Sequence, residues 1–429
     1  MADCEGGKMA ALIPCGQSKL GWNLLCNELV CEILVRLPTT AAVRFQSVCK
    51  LWYSLISSPY FIARFRHHHN HTDDDVQPSR IVFRFAYPCN CTRHSGGCNQ
   101  CHSHFQIISN SSSLLRKVYG ESAFRLSYLP CLPKQLRLEG SFADLILCSC
   151  LITNKIDYYV SNPLTRQWIA LPPAAYDCLV QYVSIGFLYV EDASHHNKFM
   201  VVRLRTWCST ASTPCSWFKA QVFSSENWQW RSLVVSSPLS LNHHRGRNPL
   251  VAYRGMLHWL NSDCIVVYDP LNTPERFSRV IGLPFSIQIY PSEIYRNNYC
   301  FGVSQGCLRV VKVVSDEYII GPILDVWELE DYDSGLWNLV HKVHLTNLIH
   351  NELFESLQSE LPCFEGLSLH PENGDVIYLR LFNGVVLVNM KSKIVEQFYP
   401  INERVLFCWR DAFHLVDQAW PTALSLLRH

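Results

Sequence analysis

The chain has 429 residues, 48% of them apolar and 12% aromatic, enough to bury a large core and too apolar for a wholly disordered protein. Its 37 lysines and arginines against 36 aspartates and glutamates leave a formal charge of +1, so no mainly electrostatic partner, nucleic acid or membrane, is expected. The opening MADCEGGKMAALIPCG lacks the apolar core of a signal peptide, and the best apolar run, residues 143–152, falls well short of the ~18 residues of a membrane span. A cytoplasmic or nuclear chain is therefore expected, with its twenty cysteines acting mostly as reduced, buried thiols.

Residues 1–21 read as a disordered N-terminus, and structure is expected from residue 22. Residues 22–66, WNLLCNELVCEILVRLPTTAAVRFQSVCKLWYSLISSPYFIARFR, predict three short helices. Leu25, Leu29, Ile33, Leu34 and Leu37 recur at helical spacing until Pro38 stops the first helix. Thr39 or Thr40 can cap a second helix carrying Val43, Phe45, Val48 and Cys49; a third carries Trp52, Leu55 and Ile56 and breaks at Ser57-Ser58-Pro59. Val30, Cys31, Val35 and Leu51 lie off the main stripe. Such apolar surplus in so small a unit points to a partner surface or to packing against the rest of the chain.

The segments LLCNELVCEILVRLP and RFQSVCKLWYSLISSPYF resemble an F-box, and specifically a plant F-box. Cys26 departs from the family, which usually has proline there. The resemblance implies docking on the Skp-type adaptor of a Skp–cullin–F-box ubiquitin ligase. By position, it implies contacts from Leu25, Leu29, Ile33, Leu34, Leu37, Pro38, Val48, Cys49, Trp52, Leu55 and Ile56, some of which must instead hold the helices together.

HHHNHTDDD, at 67–75, is read as part of a linker over residues 67–79. Next comes CNCTRHSGGCNQCHSH, residues 89–104, between the apolar runs IVFRF and FQIIS. Cys98-x-x-Cys101 is a good zinc-ligand pair and Cys89-x-Cys91 a tighter one, with histidines in reserve. The segment sits where a loop insertion belongs in a domain with ample apolar material, so a loop without metal is the favoured reading, and no cofactor is expected.

From about residue 80 the pattern turns to short β-rich runs between turn residues. YYVSNPLTRQWIALP reads strand, Asn-Pro turn, strand, and the pattern recurs at 218–233, 264–284, 326–343 and 384–398. Anchors in the second strand of each, Trp168, Trp230, Val280, Trp337 and Val395, lie 62, 50, 57 and 58 residues apart. That ragged period suits β-propeller blades, with RGMLHWLN (254–261) and DVIYLRLF (375–382) as further strands. The tryptophans are then packing residues between sheets. The segments GSFADLILCSC, YYVSNPLTRQWIALPP and LSLHPENGDVIYLRL resemble the F-box-associated, kelch-like domains of plant F-box proteins. The expected architecture is a small all-α F-box followed by a large all-β domain over residues 80–429, a kelch-like β-propeller of six to eight blades; a pair of β-sandwiches is the alternative.

No phosphate loop, H-E-x-x-H or nucleophile elbow is present. The acidic run Glu328-x-Glu330-Asp331-x-Asp333 lacks the glycine and distal glutamate of a calcium loop and reads as a turn. His258 reads as a packed histidine. The expectation is a non-catalytic substrate receptor that binds the adaptor, and through it cullin, while the propeller holds an unidentified target protein. An F-box scaffold or transcriptional cofactor outside the ligase, and a small-molecule- or glycan-binding propeller, are the alternatives. Arg203 and Arg205, and Arg245 and Arg247, are candidate phosphopeptide-binding arginines.

Overall fold

The computed structural model describes residues 26–70, 79–86, 103–109, 126, 128–131, 136–152, 155–175, 183–190, 198–205, 215–241, 250–261, 263–284, 299–314, 323–348, 366–381, 384–400, 412–416, 420–422 and 424. They fall into two compact units that divide after residue 73.

The first unit has four helices, α1 (Asn27–Val35), α2 (Thr39–Phe45), α3 (Lys50–Ile56) and α4 (Pro59–Asn70), where the sequence predicts three. The difference lies at Ser58-Pro59. Ser58 Oγ accepts the Phe61 N–H at 3.2 Å, and Pro59 takes the first helical position, where a missing N–H costs nothing. The dipeptide that ends α3 therefore also starts α4. That helix runs on through His67, His68 and His69, which are helical rather than linker residues. His69 stacks on Phe65 at 4.1 Å between ring centres, and its Nε2 bonds the Val35 carbonyl at 2.9 Å, satisfying a carbonyl at the end of α1. Burial holds the His69 ring below its ordinary pKa. Cys26 precedes α1 with φ −66°, the value proline would impose, so its substitution keeps the entry angle.

The core of this unit is Val30, Cys31, Leu34 and Val35 of α1 with Ala42, Ile56, Phe61 and Phe65. Of the stripe read from the sequence, Leu34 is core and Leu29 and Ile33 are left half exposed, while Val30, Cys31 and Val35, off that stripe, face inward. Glu32 pairs with Arg36 at 2.9 Å and with Arg64 of α4, and Phe45 meets the Trp52 ring edge-on at 5.2 Å.

The second unit is built of antiparallel sheets. β3 (Leu136–Phe142), β4 (Leu145–Ile152), β5 (Lys155–Asn162) and β6 (Gln167–Ala170) make the first blade. β7 (Ser184–Val190), β8 (Lys198–Arg205), β9 (Cys215–Ser224) and β10 (Gln229–Leu241) make the second. β11 (Val251–Tyr253), β12 (Met256–Asn261), β13 (Cys264–Tyr268) and β14 (Arg279–Gly282) form the third. β15 (Tyr299–Ser304), β16 (Cys307–Val314), β17 (Ile323–Asp331) and β18 (Leu336–His344) form the fourth. β19 (Gly366–Leu369), β20 (Val376–Leu381), β21 (Gly384–Asn389) and β22 (Ile394–Pro400) complete the fifth. Successive first strands, β3, β7, β11, β15 and β19, neighbour one another, so they line the axis and the fourth strands form the rim. The domain is a propeller with five four-stranded blades among the described residues, fewer than the six to eight expected. A three-stranded sheet in the order β2 (Ser103–Ser109), β1 (Ser79–Ala86), β23 (Ala412–Val416) completes the unit, and its β23 neighbours β3.

The blade cores lie between sheets. Phe218, Ala220 and Val235 of the second blade pack with Trp259, Val266 and Tyr268 of the third, and Val310 and Val326 of the fourth with Ile377 and Val386 of the fifth. With both faces covered, inner strands such as CIVVY of β13 are apolar throughout rather than alternating.

The anchors read from sequence, Trp168, Trp230, Val280, Trp337 and Val395, all fall on fourth strands. The segments read as further strands, 254–261 and 375–382, supply second strands β12 and β20. Trp230 donates its indole N–H to the Pro172 carbonyl just past β6, and Trp337 donates to Gly282 of β14, each at 2.7 Å. A rim tryptophan thus ties its blade to the fourth strand of the blade before it, and the indole N–H keeps a partner in a partly buried setting.

Candidate functional site

In the helical unit the surface is apolar where a free-standing protein would be polar. Six of the thirteen large hydrophobic side chains exposed among the described residues lie here: Leu29 at 50%, Ile33 at 49%, Val48 at 58%, Leu51 at 56%, Tyr53 at 57% and Tyr60 at 67%. A unit this small leaves so much apolar area in water only where something else covers it. The expected contact residues divide by burial. Leu34 and Ile56 are core, Leu37, Trp52 and Leu55 are partly buried, and Leu29, Ile33, Pro38, Val48 and Cys49 are exposed. Leu25 lies outside the described residues. Leu51, Tyr53 and Tyr60 join the exposed group; Leu51 stands out in the sequence as surplus off the main stripe, and neither tyrosine is among the expected contacts.

In the propeller, strand order assigns the turns to two ends. Turns from first to second and from third to fourth strands share one end; the remaining connections share the other. At the first end the third strand of each blade closes on a side-chain oxygen. Asn162, Asp269 and Asn389 accept two backbone N–H bonds each at 2.9–3.2 Å, while Asp331 accepts one from Asp333 N–H at 2.9 Å and one from the Ser334 hydroxyl at 2.6 Å. Ser224 does the same for Glu226 N–H at 3.2 Å. Four residues beyond this oxygen, four of the five blades enter the left-handed region, at Arg166 (φ 58°), Trp228 (φ 57°), Gly335 (φ 72°) and Lys393 (φ 58°). The acidic run around Asp331 is thus a turn, with Glu328 drawn off to pair with Arg309.

The opposite end carries the connections 206–214, 242–250, 283–298, 315–322, 345–365 and 401–411. The 87–102 connection leaves β1 at this end too. Cys89, Cys91, Cys98 and Cys101 lie in it, outside the described residues, as do Arg245 and Arg247 in the 242–250 connection. Among the described residues no three His, Cys, Asp or Glu side chains are grouped to hold a metal.

Arg203 and Arg205 are both buried on β8, and Arg203 Nη1 donates to Gln221 Oε1 at 2.5 Å. His258 is fully buried and its Nε2 meets the Tyr332 hydroxyl of the next blade at 2.8 Å. Burial moves its pKa down to about 4, so it is a neutral packing histidine at pH 7. Arg309 reaches from β16 to the Gly374 carbonyl in the fifth blade and also binds Glu328, another polar tie between blades. These are structural roles.

Residues 22–64 match the F-box domain family. Residues 127–405, more than half of the chain, match the family described as F-box protein At3g26010-like, beta-propeller. The chain belongs to this family.

F-box protein At5g49610 of Arabidopsis thaliana is 26% identical over 387 residues, covering 88% of this chain and 92% of that protein. Putative F-box/kelch-repeat protein At1g15680 of the same plant is 27% identical over 345 residues, covering 75% and 73%. Putative F-box protein At3g23950, also from Arabidopsis thaliana, is 25% identical over 389 residues. An F-box protein with a β-propeller is an architecture of the substrate-adaptor type, typical of receptors rather than catalysts.

Proposed function

We propose that this F-box protein is the substrate-recognition subunit of a Skp–cullin–F-box ubiquitin ligase, acting in the cytoplasm or nucleus. The observation that carries this reading is the apolar surface of the helical unit, Leu29, Ile33, Val48, Leu51, Tyr53 and Tyr60, on a segment that matches the F-box. These side chains, with Pro38 and Cys49, are assigned to the Skp-type adaptor, and Leu34 and Ile56 to holding the helices. The propeller is assigned to a target protein, whose binding loops would be the long connections, since loop sequence varies there without disturbing the blade cores. The protein then performs no bond chemistry; it raises the local concentration of the target near the conjugating enzyme. The sheet β2–β1–β23 is assigned as a sixth blade, which pairs a strand from each end of the domain and so closes the ring non-covalently.

Co-purification of the full chain with the adaptor and cullin tests this. Leu29→Asp with Ile33→Asp is expected to abolish adaptor binding while leaving circular dichroism and melting unchanged, because both side chains already face water. Retention of the adaptor by the folded double variant refutes the assignment. Cullin recruitment and turnover of a bound protein separate a ligase subunit from a scaffold.

A further inference from the structure

The first blade holds a buried carboxylate that is hydrogen-bonded by the uncharged Asn162 and Thr422. Asp144, in the β3–β4 turn, is 4% exposed. Its Oδ2 accepts from Asn162 Nδ2 and from Thr422 N–H, each at 2.7 Å, and its Oδ1 accepts the Thr422 hydroxyl at 2.6 Å. Asn162 Nδ2 also reaches the Thr422 carbonyl at 3.2 Å, while Asn162 Oδ1 closes its own turn. Thr422 is thus held at its N–H, its carbonyl and its hydroxyl by the two turns of one blade. Around it Trp420 and Pro421 are buried, and Leu424, 3% exposed, enters the apolar seam between the first and second blades with Val160, Phe199 and Phe223.

This is how a short peptide is recognised: main-chain bonds for hold, one polar side chain and an aliphatic anchor for selectivity. Two observations make the segment separable from the fold. The strand before it, β23, already pairs with β1 from Ser79↔Val416 to Phe83↔Ala412, and that pairing does not involve the segment. The segment also imposes a desolvation cost. Burial raises the Asp144 pKa against hydrogen bonds from the uncharged Thr422 and Asn162, and lifting the segment rehydrates the carboxylate. The net hold is therefore weaker than the three hydrogen bonds to Thr422 suggest.

We propose that the turns around Asp144 and Asn162 form a peptide-binding site, occupied in cis by Trp420, Pro421, Thr422 and Leu424 and open to a partner segment of the same make-up. That make-up is an aromatic residue and a proline, a threonine, and a leucine two residues on. That the partner is a target protein rests on the receptor reading; the site itself does not.

The test uses the full chain. Thr422→Val with Leu424→Ala loosens the cis segment. A fluorescent peptide of residues 418–426 is then titrated and followed by anisotropy. The loosened chain is expected to bind it at least tenfold more tightly than the wild-type chain does. Asp144→Ala in that background is expected to remove the gain, as is the same peptide carrying valine for threonine. Equal binding by loosened and wild-type chains, or no binding by a folded loosened chain, overturns the proposal. So does failure of the loosened chain to fold, since the segment is then part of the blade. Adaptor co-purification from the same preparations is unaffected by any of these outcomes, which keeps this proposal separate from the receptor reading.

Discussion

The left-handed position that recurs four residues past the turn oxygen permits a stability test with controls inside one molecule. Gly335 holds it at φ 72° without strain, whereas Arg166 and Lys393 hold it at φ 58° with side chains exposed to solvent. An L-residue there costs about 1–2 kcal/mol, and glycine's greater freedom in the unfolded chain offsets about 0.5–1 kcal/mol of that. Lys393→Gly and Arg166→Gly are therefore each expected to stabilise by about 0.5–1 kcal/mol, and Gly335→Ala to destabilise by a similar amount. Sterics do not confound the last change, because an added Cβ meets only Ile281 Cγ2 at 3.5 Å, an ordinary contact. Trp228, at the same position, is unsuitable, since its ring packs edge-on against Phe223 at 5.3 Å. Urea unfolding of the full chain, followed by tryptophan fluorescence, supplies the midpoints. If Gly335→Ala left the midpoint unchanged while Lys393→Gly lowered it, backbone strain would not govern these turns.

Leu34→Ala is expected to destabilise the helical unit by about 3–5 kcal/mol and Leu29→Ala by under about 1 kcal/mol, measured by thermal melting; equal losses would show the wrong face of α1 assigned to the core. Gly374→Ala places a Cβ against the Arg309 guanidinium, which must leave the Gly374 carbonyl and strain its pairing with Glu328; a loss of about 3 kcal/mol is expected, and Arg309→Met should largely cancel the effect of the glycine change in a double-mutant cycle. His258 and His370 are both held neutral by burial, with pKa values lowered to about 4. The unfolded chain takes up these protons below its ordinary value of about 6.5, so stability falls as pH drops from there towards 4, by roughly 2 kcal/mol per histidine at pH 5. His258→Gln should flatten the dependence of the urea midpoint on pH between 7 and 5, and an unchanged slope would contradict the assignment.

Much of the propeller is legible in the sequence because its signals are local. In four of the five blades a side-chain oxygen, a four-residue turn and a strand whose second residue is tryptophan or valine follow one another directly, and hydrogen bonds at that range depend little on the rest of the chain. The fourth helix was equally local and was hidden by reading Ser58-Pro59 as a stop; serine before proline is also a helix start.

What the sequence determined by itself is the F-box, the recurring hairpins and the absence of recognisable enzyme motifs. Tertiary structure decided the rest, because burial is a property of neighbours. α1 is apolar on nearly every side, so its periodicity cannot say whether Leu29 and Ile33 or Val30 and Val35 face inward; the packing of α3 and α4 does. Arg203 and Arg205 in VVRLRT read as candidate phosphopeptide-binding residues, yet β8 lies between strands and between sheets, and Arg203 is buried with a side-chain partner from β9. Pairing of β1 with β23, and the hold of Asp144 on Thr422, join residues more than 270 positions apart, and nothing within either segment announces its partner.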